Sequence, residues 1–192
     1  MIAALALIAG ALAGLAVGLA LHPRLRPRRA RAARAARAAA TTRQILLPFT
    51  GTTLSRRALE AAMRLARVEG ATLMPAFLAT VPLHQSLETP VPRQCAIGMP
   101  LLEAIEQRAV AEGIPVDARV QRGRSYRHAL SRLLEAEHFD RVILSAADDP
   151  RTGLSGEDLL WAIDHADAEV MILRPAPQDA RVVSAGGLTG HF

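Results

Sequence analysis

Residues 44–53 read Gln-Ile-Leu-Leu-Pro-Phe-Thr-Gly-Thr-Thr, a short apolar run that ends in a turn. Such a run suits a strand buried on both faces, and Thr50-Gly51-Thr52-Thr53 carries turn chemistry. A helix should follow. Leu54, Ala58, Leu59, Ala62, Met63 and Ala66 recur at helical spacing, Arg56, Arg57, Glu60 and Arg64 fall between them, and Gly70 is placed to stop the helix. Strand, turn and helix in this order set the expectation of an α/β domain.

Toward the carboxyl end the alternation continues. Ala71 to Val81 is apolar, and its interior Pro75 predicts an edge strand, a bulge or a short pair of segments. Pro82 to Pro100 holds four prolines and Gly98, so it reads as a long irregular loop that covers a site or contacts a partner. Leu101 to Glu112 reads as a helix closed by Gly113, Pro115 to Val120 as a strand and Tyr126 to Glu137 as a helix. Arg141 to Ala146 is a strand, Glu157 to Ala166 a helix and Glu169 to Leu173 the last strand. This order predicts a five-stranded, mostly parallel open sheet with helices on both faces. Ligands of such sheets bind beyond the carboxyl ends of the strands, which directs attention to the loops after Phe49, Leu78, Val120 and Ser145.

The composition agrees: 51% hydrophobic but only 3% aromatic residues suits Ala/Leu-rich helices on a modest sheet better than an all-β core. The net charge of +5 is unevenly placed. Eight arginines lie between His22 and Arg43, and the 15 other basic residues face all 18 acidic ones, so the globular part is slightly acidic. Nucleic-acid binding is disfavoured by that balance and by the scarcity of aromatics. The single cysteine, Cys95, forms no intramolecular disulfide, and the six histidines are scattered without metal-ligand spacing.

Toward the amino end, Met1 to Leu21 carries no charge and is almost wholly Ala, Leu, Ile, Val and Gly. About 20 such residues at roughly 1.5 Å each span a hydrocarbon core of about 30 Å. The rival reading, a cleaved secretory signal, requires basic residues ahead of the apolar stretch, and none precedes Leu21. The arginines follow the stretch, so the amino terminus is expected outside and the domain on the cytoplasmic side of the inner membrane. Arg28, Arg31, Arg34 and Arg37 recur every third residue and suit a juxtamembrane helix near anionic headgroups; a solvated basic linker accounts for them equally well. Ala6, Gly10, Gly14 and Gly18 line one helical face in the small-xxx-small manner, which suits packing against a second copy or another membrane subunit, although such residues are common in membrane helices anyway.

The chain thus divides into an anchor (1–21), a basic segment (22–43), an α/β domain (44–175) and a tail (176–192) that carries Gly186, Gly187 and Gly190 and little periodicity. The domain resembles the universal stress proteins, of the adenine nucleotide alpha hydrolase-like fold. Ile45-Leu46-Leu47-Pro48-Phe49-Thr50-Gly51 with Ser55-Arg56-Arg57-Ala58-Leu59 is similar to that family's opening strand, turn and helix. Arg141 to Ser145, Arg151-Thr152-Gly153-Leu154-Ser155 and His165 to Leu173 are similar to its fourth strand, glycine-rich loop and closing helix-to-strand passage.

The resemblance implies a nucleotide site in a degenerate form. Many relatives bind ATP with an acidic residue after the first strand and a loop of form GxxGx9G followed by Ser or Thr. Here Thr50 stands at the acidic position, Ser145 and Asp148 at the first two glycines, and Gly156-Glu157 at the final pair. A phosphate cradle needs inward N–H groups and no fixed negative charge, so Asp148, Asp149 and Glu157 have the wrong sign. If a nucleotide is bound, the resemblance points to Thr50, Gly51, Leu78, Gly123, Ser145, Gly153 and Gly156. Arg122, Arg124 and Arg127, with His128, form an anion-binding candidate around Gly123; the plainer reading is a basic helix start paired with Glu135 and Glu137.

No base-and-orienter pattern surrounds Ser125, Ser131, Ser145 or Ser155, so no enzyme is expected, nor a cofactor unless ATP binding is retained. Trp161 suits a core or interface anchor. The resemblance also implies a homodimer through Val170, Met171, Ile172 and Leu173, which would otherwise be an exposed edge. The leading expectation is a membrane-bound regulatory or accessory module. Its alternatives are a nucleotide-responsive sensor and a structural subunit of a larger membrane complex.

Overall fold

The computed structural model describes residues 43–51, 54–146 and 154–174. The readings placed on the anchor with its Ala6/Gly10/Gly14/Gly18 face, on the basic segment as far as residue 42, on Asp148, Asp149 and Gly153, and on the tail lie outside these residues. No helix among the described residues is long and apolar enough to cross a membrane.

β1 (Gln44–Phe49) is the strand from which the rest is built. Ile45, Leu47 and Phe49 enter one core with Leu59, Met63, Leu102 and Ile105, while Leu46 enters a second with Leu130, Leu133, Val142 and Leu159. This explains why its sequence does not alternate: both faces are covered. The helices α1 (Arg56–Glu69) and α2 (Pro92–Ala111) cover the first face, and α3 (Tyr126–Ala136) and α4 (Gly156–His165) cover the second. With β2 (Thr72–Thr80), β3 (Arg119–Gly123), β4 (Arg141–Ser145) and β5 (Glu169–Leu173), the sheet is wholly parallel in the order β3-β2-β1-β4-β5. Its switch point lies between β1 and β4. The helix ends follow local chemistry: Ser55 caps α1 through the N–H of Ala58, and Gly70, at φ 61°, ends it in the left-handed conformation.

Two prolines shape the ladders. The Thr72 N–H bonds to the Arg43 carbonyl, so odd residues of β1 and even residues of β2 face each other across that ladder. Pro75 therefore turns toward β3, and the β2–β3 ladder is interrupted between Leu73↔Val116 and Ala76↔Arg119 without a change of register. β2 is consequently an interior strand with one missing donor, neither the edge strand nor the bulge the proline suggested. Pro48 turns toward β4. The β1–β2 ladder runs from Gln44↔Thr72 to Phe49↔Phe77, whereas β1–β4 pairing is confined to Ile45↔Arg141 and Leu46↔Val142. A strand that cannot donate at Pro48 parts from β4 toward its carboxyl end.

Two boundaries and one loop differ from the sequence reading. α2 starts at Pro92, so the irregular segment is much shorter than 82–100. Proline in the first turn forfeits a hydrogen bond no helix makes there, and the interior Pro100, a defect of about 3 kcal/mol, is tolerated because this half of the helix is seated on β2. At Gly98 the fit is so close that a Cβ would lie 2.5 Å from the Phe77 ring. β3 begins later than Pro115 and includes charged residues, because an edge strand needs only one buried side. β2 falls within the run 71–81 read as a strand and continues to Thr80, so the loop sought after Leu78 begins after Thr80.

Gly123 is under a similar constraint: a Cβ would lie 2.3 Å from the Ala129 nitrogen, so α3 could not pack where it does. At Gly156 nothing lies within 4 Å of the added atom. Gly98→Ala and Gly123→Ala should each cost about 1–3 kcal/mol by overpacking, read as a lower urea midpoint. Gly156→Ala should stay within about 0.5 kcal/mol of the parent. Equal losses at all three positions would contradict the packing described.

Candidate functional site

At the switch point β1 and β4 part toward their carboxyl ends, the place where open α/β sheets bind ligands in a crevice. Its β1 wall ends in Phe49, Thr50 and Gly51, the last at φ 65°, a value that glycine adopts without strain. Thr50 is 1% exposed, and its Oγ1 has no hydrogen-bond partner. A buried hydroxyl left unpaired is costly and marks a place that a ligand or water could satisfy. Its β4 wall ends in Ser145 and Ala146; Ala146 bridges to Leu154, just before α4.

The start of α4 would be the natural place for an anion, since its free N–H groups carry partial positive charge. It is already occupied by the chain itself. Ser155 accepts from the Asp158 N–H at 3.2 Å, and the Asp158 carboxylate turns back to the Ser155 N–H at 3.3 Å and its hydroxyl at 2.7 Å. This reciprocal cap, worth about 1 kcal/mol, puts a carboxylate in the first turn of α4. Glu157 adds a second negative charge in the same turn.

The basic residues predicted as an anion cluster are drawn apart. The Arg127 Nε donates to Asp158 Oδ1 at 3.0 Å, and its guanidinium lies 3.9 Å from Glu157. Arg124 donates to the carbonyls of Pro82 and Gln85, the latter at 2.7 Å, and so fixes the segment after β2. Its own N–H donates to His128 Nδ1 at 3.1 Å. Arg122 lies on the edge strand β3 with its Nε buried and unpaired, and its carbonyl accepts from Arg132. Arg124 thus bonds main-chain carbonyls and Arg127 the α4 carboxylates, while Glu137 pairs with Arg119. At the opposite end of β3, a hydrogen bond from Arg119 holds the Asp117 carboxyl below its ordinary range, against a smaller opposing effect of burial.

The nucleotide candidates divide in the same way. Thr50 and Gly51 follow the carboxyl end of β1, Ser145 ends β4, and Gly156 opens α4 beside its cap. Leu78 is fully buried in the second core, and Gly123 serves the close approach of α3. Sequence reasoning missed Thr80 and Gln94. At the end of β2 the Gln94 side chain accepts from the Thr80 N–H at 2.8 Å and donates to its carbonyl at 2.7 Å. The only sequence signal for this contact was Pro92 as a helix start, which would have brought Gln94 into the first turn. Trp161 packs partly on the second core and stacks on His165 at 4.8 Å, so its body is an anchor on α4. Among the described residues no group of three or more His, Cys, Asp or Glu side chains is placed to hold a metal ion.

No protein-family model matches the sequence. No curated protein matches it either. Solved structures do match. A universal stress protein family member from Burkholderia pseudomallei superposes with a TM-score of 0.52 at 18% identity, covering 68% of this chain and 94% of that one. A family protein from Arabidopsis thaliana with AMP bound gives 0.52 at 12% identity, covering 71% and 94%. The universal stress protein from Archaeoglobus fulgidus in complex with dAMP gives 0.52 at 10% identity, covering 69% and 97%. With β3-β2-β1-β4-β5 order, two helices on each face and a switch point between β1 and β4, the described domain has the universal stress protein fold.

Proposed function

We propose that the chain is a membrane-tethered, non-enzymatic module that acts as a protein-interaction platform at the cytoplasmic face, with the nucleotide site of its fold closed at the phosphate end. The carrying observation is the start of α4, where Asp158 sits in the reciprocal cap with Ser155 and holds Arg127. A triphosphate placed there would meet two carboxylates and displace a helix cap. Thr50, in place of an acid, removes a further partner from the crevice.

The partner surface in this reading begins at β5. Even residues of β5 face away from β4, since Glu169 and Leu173 make the bonds to it, so the main-chain groups of Val170 and Ile172 form an open edge. Beside that edge, α4 exposes Leu160 (65%) and Ile163 (50%), and β5 exposes Ile172. These residues suit a homodimer or a subunit of a membrane complex. Tethering rests on the uncharged stretch 1–21 and the arginines after it, which also suit anionic headgroups.

A second reading, an adenine-nucleotide sensor, is favoured by the unpaired Thr50 Oγ1 and by the AMP and dAMP held by fold relatives. Calorimetry on the full chain in nanodiscs separates the two: the platform predicts no saturable heat up to millimolar ATP. Micromolar saturation would replace it with the sensor.

Topology is tested independently with a Ser184→Cys reporter in a Cys95→Ser background. A membrane-impermeant maleimide should label it only after cells are opened, and labelling of intact cells would place the domain outside. Ile163→Glu should weaken self-association in detergent by at least about tenfold, since a charge there would be desolvated at the interface. An unchanged sedimentation profile would remove this flank from the interface.

A further inference from the structure

The carboxyl end of β2 carries a pair of main-chain groups that the sheet leaves over. Even residues of β2 face β1, as the Thr72 bond to Arg43 shows, but β1 ends at Phe49 opposite Phe77 and the chain turns away at Gly51. The N–H and C=O of Thr80 therefore point to where β1 would have continued, on the crevice side of β2. Thr50, at the end of β1, has its buried hydroxyl unpaired in the same region of the rim.

Both Thr80 groups are held by one side chain. The Gln94 carboxamide accepts at 2.8 Å and donates at 2.7 Å, the distances of well-formed bonds. Gln94 is rigidly delivered: Pro92 opens the helix, and Gly98, one turn later, lies against Phe77. The carboxamide is planar and offers an acceptor beside a donor. The same pattern along the edge of a planar heterocycle, such as the N1 and exocyclic amine of adenine, would engage Thr80 in the same way.

From this arrangement we infer that Gln94 is an intramolecular occupant of the crevice, an autoinhibitory side chain that fills the main-chain site a planar base would take. The inference deepens the platform reading and rests on it: the crevice is closed at its phosphate end by Asp158 and at its β2 wall by Gln94. The ligand class follows from the two ends together. A neutral nucleoside is compatible with the carboxylates at α4, whereas a nucleotide is not. Removing the Gln94 amide opens a nucleoside site without opening one for ATP.

The test is a titration of the full chain in nanodiscs with adenosine and, separately, with ATP. The parent should show no saturable adenosine binding, and Gln94→Ala should gain at least about tenfold in affinity. Gln94→Met, which fills the space without the donor and acceptor, should gain nothing. A folded Gln94→Ala chain that binds no better than the parent, or a parent that already binds adenosine as tightly, would overturn the inference. Saturable ATP binding by the parent would instead overturn the platform reading, so the two failures are distinct. Should Gln94→Ala fail to fold, amide exchange on the parent decides: the Thr80 N–H must be as protected as the amides within β2, and exchange at the rate of an exposed loop would show that Gln94 does not hold it.

Discussion

The domain depends on the burial of β1 on both faces. Ile45, Leu46 and Leu47 are at most 1% exposed, and each face of the strand is the floor of a separate core. This single constraint puts β1 in the middle, sends α1 and α2 to one side and α3 and α4 to the other, and makes the chain reverse its direction of winding between β3 and β4. Pro48 then acts at the point of reversal. It costs the sheet a donor on the β4 side but leaves the β2 side intact, so the strands separate only where a crevice is useful.

What fills the rim of that crevice is the chain's own polar chemistry. A carboxylate faces the start of α4, a guanidinium is committed to that carboxylate, and a carboxamide holds the end of β2. Each contact is modest by itself, on the order of 1 kcal/mol net, but a ligand must displace it before gaining anything. Conversely, these contacts stabilise the free domain. Thr50 contributes a buried hydroxyl with no hydrogen-bond partner among the described residues.

Much of this fold was legible in the residues. The unbroken apolar run at 45–47, the helical spacing from Leu54 to Ala66 and the stop at Gly70 appear where local pattern placed them. The legible parts are those in which local preference and burial agree. Pro75 and Pro100 misled because each was judged by the hydrogen bond it lacks, whereas neighbours in space made the loss tolerable. The partners of the arginine cluster were hidden for a related reason. Arg124 and Arg127 are close in sequence, but their partners, Gln85 and Asp158, are 39 and 31 residues away, and nothing local announces them. Gln94 was hidden although it lies only 14 residues from Thr80, since only the folded sheet reveals that Thr80 has groups to spare.

The central claim is that the crevice is closed at both ends by the protein itself, and backbone amide resonances report it most directly. In ¹⁵N-labelled full chain, the signals of Thr50, Gly51, Thr80 and Ser155 should remain in place as magnesium ATP is raised to millimolar concentration. Progressive, saturable movement of those four signals together would contradict the account, because it would mean that the Asp158 cap and the Gln94 carboxamide give way to a nucleotide.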